Sequence, residues 1–112
     1  MEKIQFFSAI RNFDKEKNFR MLRNGYLIKG KENTFGVFKN ESGLFDIIDL
    51  KTGLSVNFLH YYKLKDFKND IQKFDDKLND YKEKNKNFYN ELIKNFNSYE
   101  IFEECHLWDM KS

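Results

Sequence analysis

The 112-residue chain contains no proline, one cysteine and two histidines. Each shortage removes something. The lone Cys105 excludes an internal disulfide and suits a reducing compartment. A structural zinc site takes about four Cys or His ligands, and a catalytic one takes three with an open position. Cys105, His60 and His106 cannot fill either without carboxylates, so no metal is expected. Cys105 and His106 are chain neighbours, whose side chains point apart on a helix or a strand, so they make a poor nucleophile–base pair. The five glycines are spread one per turn or strand and do not cluster ahead of a helix, which leaves no phosphate cradle. No cofactor is expected, and the chain reads as a non-enzyme. No run approaches the roughly 18 apolar residues of a membrane span. No apolar stretch of signal-peptide length follows basic residues at the start. A soluble protein of the cytoplasm, in a bacterial host cell, is expected.

What is abundant is ring and charge. Aromatics make up 18% of the chain, with thirteen Phe, six Tyr and one Trp, so the core is built on rings. The length suits a single domain over residues 1–112 with one modest core. Asn, Lys, Phe, Ile and Tyr dominate, as in a low-GC genome.

The most ordered stretch runs from His60 to Tyr99. Leu64, Phe67, Ile71, Phe74, Leu78, Tyr81, Phe88 and Leu92 follow heptad spacing, which a strand cannot carry. Nearly everything between them is polar or charged, which predicts an amphipathic helix. The acids Asp66, Asp70, Asp75, Asp76 and Asp80, interleaved with lysines, read as its solvated face. Asn85, inside Lys84–Asn87, stands where an apolar residue is due. Two forms follow: a helical hairpin broken near Asn85, or one long helix that pairs with another copy of the chain.

Residues 3–22 have helical spacing at Ile4, Phe7, Ile10 and Phe13, then at Phe19 and Leu22. Asn24-Gly25 is a strong two-residue hairpin signal that competes with this reading. The run before Asn24 lacks clean alternation and β-branched residues, which favours an N-terminal helix. From Tyr26 the texture changes. Short apolar runs over 26–31, 34–39, 44–50 and 54–59 are separated by turn residues, which predicts an antiparallel meander of three to four strands. Phe35 and Val37 match Phe45 and Ile47 as core-facing sets. Asp46 and Asp49, three apart on a strand, fall on opposite faces. Gly36, within a strand, marks a bulge or a close approach. The expected fold class is α+β: N-terminal helix, meander, then a long C-terminal helix or helical hairpin.

The net charge of +2 decides little, but its distribution is polar. Residues 1–31 carry eight Lys/Arg against three Asp/Glu, and include all three arginines. Arg11, Lys15, Arg20, Arg23, Lys29 and Lys31 form a candidate contact set. On a helix, Arg20 would share a face with Arg23, and Arg11 with Lys15. Arginine favours bidentate phosphate or carboxylate partners. The acidic tail, with Glu100, Glu103, Glu104 and Asp109, could imitate phosphates. Trp108 reads as a packing anchor.

In size, composition, small antiparallel sheet and charged helix, the chain resembles the small phage-encoded inhibitors of bacterial defence, of the anti-CRISPR type. The stretch from Gly43 to Leu54 resembles hairpins common in short phage proteins. These inhibitors share no motif, so the resemblance gives no residue a role. It implies a stoichiometric protein that occludes a host nucleic-acid-processing complex. The expected partner is therefore a protein or ribonucleoprotein complex of a bacterial host. The alternative is direct RNA or DNA binding through the Arg/Lys set. A third possibility is a homodimer built on the 60–99 helix, or an immunity partner of a toxin.

Overall fold

The computed structural model describes residues 2–12, 14–56 and 64–102. The chain opens with two long strands, β1 (Glu2–Asn12) and β2 (Lys17–Lys29), followed by β3 (Thr34–Lys39) and β4 (Phe45–Asp49). Two helices follow, α1 (Leu64–Lys84) and α2 (Lys86–Ser98), and then a two-residue strand, β5 (Glu100–Ile101). The sheet order is β1-β2-β3-β4, antiparallel throughout, with β5 added parallel to β2 at Phe19 and Arg20.

The expected N-terminal helix is absent. Residues 2–12 pair with 17–27 as one long ribbon, from Glu2↔Leu27 to Asn12↔Lys17. The reversal lies at Asp14–Glu16, where Glu16 takes φ 50. Asn24-Gly25 makes no turn and sits inside β2, paired with Gln5 and Ile4. Gly25 is needed there for closeness: a Cβ on it would lie 2.0 Å from the Val37 carbonyl oxygen and 3.2 Å from the Phe6 ring. The β2 backbone passes directly against β3 at that point.

The meander is as expected from Thr34 onward. Along β3 and β4 the side chains alternate between two buried faces. Phe35, Val37 and Ile47 lie fully buried on the face under α1, packed with Ile28, Phe67, Phe74, Leu78 and Tyr89. Phe38 and Ile48 point the other way and pack with Phe6, Ile4 and Leu50. β1 thus lies over the back of β3 and β4, and the sheet curls onto itself. Gly36 permits this: a Cβ there would come within 2.7 Å of the Phe6 ring and 2.8 Å of Leu50. The curl is tied at its edges, where the Ala9 amide donates to the Gly53 carbonyl at 2.7 Å. Of the fourth expected run, Leu54–Val56 lines the edge of β4 through the bridge Ile48↔Ser55. Residues 57–59 lie outside the described residues.

The helical stretch breaks at Asn85 (φ −131, ψ 39), between α1 and α2. Hydrogen bonds still cross the break, from the Asn85 amide to Tyr81 O and from the Tyr89 amide to Asn85 O. The seam needs one correction. Phe67, Phe74 and Leu78 are buried as expected, but Phe88 is 54% exposed, and its neighbour Tyr89 is buried, followed by Phe96. Tyr81, at the end of α1, is already 38% exposed, and the break at Asn85 resets the phase between the two helices, so that Phe88 faces outward and Tyr89 inward. The stripe is therefore not one continuous heptad seam.

Candidate functional site

In a strand, neighbouring side chains take opposite faces, so the β1–β2 ribbon has two separate surfaces. One carries Phe6 and Ser8 of β1 with Phe19 and Arg23 of β2, and turns toward the core. The other, here the outer face, is built from odd positions of β1 and even positions of β2 up to Tyr26, beyond which the same side of the sheet runs under α1 at Ile28. Its cross-strand pairs are Lys3↔Tyr26, Gln5↔Asn24, Phe7↔Leu22, Ala9↔Arg20 and Arg11↔Asn18. β5 extends it by one residue, since Ile101 is the partner of Arg20 and is 49% exposed. Among the described residues this face contains cations, amides, rings and aliphatic side chains, and no carboxylate.

Several of its side chains are held in place. The Arg20 guanidinium lies 5.1 Å from the centroid of the Phe7 ring, and its Nε donates to the Tyr99 carbonyl at 2.9 Å. Gln5 donates through Nε2 to Asn24 Oδ1 at 2.9 Å, and Arg11 reaches Asn18 Oδ1 at 3.5 Å. Leu22 is 46% exposed beside its cross-strand partner Phe7.

The strand geometry divides the basic set read from the sequence. Arg11 and Arg20 share the outer face. Arg23 does not join them. Its Nε donates to Ser8 Oγ at 2.9 Å and its guanidinium sits 4.5 Å from the Phe38 ring centroid, on the opposite surface. The pairing of Arg20 with Arg23 therefore fails, because it assumed helical periodicity. Lys15 lies in the turn, Lys29 at the end of β2 and Lys31 in the β2–β3 connection, all exposed. Of the acidic set, Glu100 forms an ion pair with Lys17 at 2.7 Å, and that lysine holds its carboxyl below the usual carboxylate value. Glu103, Glu104, Asp109, Trp108, Cys105, His106 and His60 lie outside the described residues. Lys3 and Tyr26 were not singled out as contact residues in the sequence, and Phe7 and Leu22 were read only as apolar positions of the expected helix. Their signal is the period-two pattern, which is readable only once β1 and β2 are known to be strands.

Two buried carboxylates have architectural roles. Asp75 is not on a solvated face: it is 1% exposed. It accepts from the Asn33 amide at 2.9 Å and from Asn33 Nδ2 at 2.9 Å, clamping the β2–β3 turn to α1. Lys82 donates to Asn33 Oδ1 at the same place. Burial, and then Lys51 nearby, hold the Lys82 ammonium below its ordinary value, against the pull of Asp49, Asp75 and Glu32. Asp49, on the face opposite Asp46 as expected, accepts from Thr52 Oγ1 at 3.1 Å and from the Tyr89 hydroxyl at 2.5 Å. Burial and then that bond push the Tyr89 phenol above its ordinary range.

A cleft of about 680 Å³ opens between Leu54–Val56 and the α1–α2 junction. Its walls are mostly apolar and are flanked by Asp76, Lys77 and Asp80 of α1, and the Thr52 and Tyr89 hydroxyls within it are engaged with Asp49. A small-molecule site usually needs converging polar groups that can turn to a ligand. Among the described residues no three His, Cys, Asp or Glu side chains gather as metal ligands, and no helix is long and apolar enough to cross a membrane. Comparison of the chain with protein-family models, curated proteins and solved structures gives no match.

Proposed function

We propose that this chain is a non-catalytic nucleic-acid-binding protein whose contact surface is the outer face of the β1–β2 ribbon. The observation behind this reading is the make-up of that face: Lys3, Arg11 and Arg20 share it with Phe7, Leu22 and Tyr26, and among the described residues no acid interrupts them. Cations neutralise phosphates, and rings and apolar side chains take base or sugar surface. A ribbon shown to solvent for no reason would more commonly mix both signs of charge.

Fluorescence anisotropy with a labelled oligonucleotide, titrated over salt, tests the proposal. Three phosphate contacts predict that log K falls with log salt with a slope of about −2. Lys3→Glu with Arg11→Glu, both at exposed positions, should reduce affinity at least about tenfold and flatten the slope. Absence of salt-dependent binding would sink the proposal. The occlusion of a host complex, read first from the sequence, then becomes the account to pursue, with the same cationic face set against an acidic protein groove.

A further inference from the structure

The distribution of chemistry along the outer face is uneven. Lys3 stands at one end, about 27 Å of strand from Arg11 and about 20 Å from Arg20 opposite Ala9, at roughly 3.4 Å per residue. The middle has no cation. It holds the exposed Leu22 beside the half-buried Phe7 ring, and the Gln5–Asn24 amide pair. A duplex shows its phosphates continuously and keeps its base faces stacked inside, so it gains little from such a centre. An unpaired strand offers base faces for the leucine and for the guanidinium over the ring, and base edges for the amides. The Gln5–Asn24 bond uses one donor and one acceptor of the pair, which leaves a carbonyl oxygen on Gln5 and an amide nitrogen on Asn24 to face a base. Arg20 is preset for this, because Phe7 and the Tyr99 carbonyl fix its guanidinium before any ligand arrives.

Resting on the nucleic-acid reading above, we infer that the face takes single strands in preference to duplex, with bases seated on Leu22 and on the guanidinium that Arg20 stacks over Phe7. The test is anisotropy with one labelled 12-mer, alone and annealed to its complement, at fixed salt. The single strand should bind about tenfold tighter or more. Phe7→Leu keeps an apolar side chain but removes the ring. It should cost the single strand at least about fivefold, because the platform under the Arg20 guanidinium is lost, and cost the duplex less. Leu22→Asn, at an exposed position, should give the same pattern at smaller size and guards against a folding defect in the Phe7 variant. Equal affinity for both forms, with neither variant changing it, would overturn the inference while leaving phosphate binding intact. No salt-dependent binding to either form would overturn the reading beneath it as well.

Discussion

A buried hydroxyl bonded to a buried carboxylate makes stability depend on pH, and Tyr89 is placed to show it. Its phenol is held above the ordinary tyrosine value by burial and by Asp49. The unfolded chain then releases this proton near pH 10 while the folded chain keeps it. Fewer protons on the unfolded state mean that stability falls as pH rises, here by up to about 1.4 kcal/mol per unit above pH 10 from this group alone. Below pH 10 both states are protonated and the group adds no slope. Urea melts of wild type and Tyr89→Phe between pH 9 and 11 check this. The variant should lose about 1–3 kcal/mol at neutral pH and show a shallower alkaline decline. Identical alkaline slopes would remove Tyr89 from the account. Asp75 shows what the sequence conceals at this scale. It is spaced like its exposed neighbours along the helix, and only the β2–β3 turn, 42 residues away at Asn33, marks it as buried.

At the scale of elements, the helical stripe predicts a sharp contrast between near neighbours. Phe88 is 54% exposed, so Phe88→Lys should change unfolding free energy by no more than about 0.5 kcal/mol. Phe96 is 5% exposed and packs against Gly53, so Phe96→Ala should cost about 3–5 kcal/mol. Chemical denaturation of the two variants decides it, and comparable losses would restore the heptad seam. The helix was legible because one buried face gives one clean period, as in Phe67, Phe74 and Leu78, and the meander was legible because turn residues such as Asn40–Gly43 separate its short apolar runs. The ribbon was not. Phe6 and Phe7 are adjacent and serve opposite faces, as are Ala9 and Ile10, so no alternation shows. The apolar residues of 4–13 then fall at helical spacing by coincidence. Gly25 misled in the same way. Glycine was read as a turn, but at this position it answers to backbone crowding from Val37.

At the scale of the whole molecule, the fold decides which surfaces remain available. The sheet curls so that β3 and β4 are covered on one side by Phe6 and its neighbours and on the other by α1. The helix stripe that could have served a partner is packed against the chain's own sheet along Phe67, Phe74 and Leu78. Among the described residues, the outer face of the ribbon from Lys3 to Arg11 has no other element packed over it along its exposed positions Lys3, Gln5, Arg11, Leu22 and Asn24. The candidate site was therefore half legible: the sequence marked the arginine-rich segment, but the strand period sends Arg23 away and brings Lys3, Phe7, Leu22 and Tyr26 to Arg11 and Arg20. The measurement that bears on this most directly is an amide NMR titration of the ¹⁵N-labelled protein with a short single-stranded oligonucleotide. The account predicts shifts concentrated on Lys3 to Arg11 and on Asn18 to Tyr26, strongest for outer-face residues, and fading as salt is raised. Shifts confined to α1 and α2, or none at low salt, would contradict it.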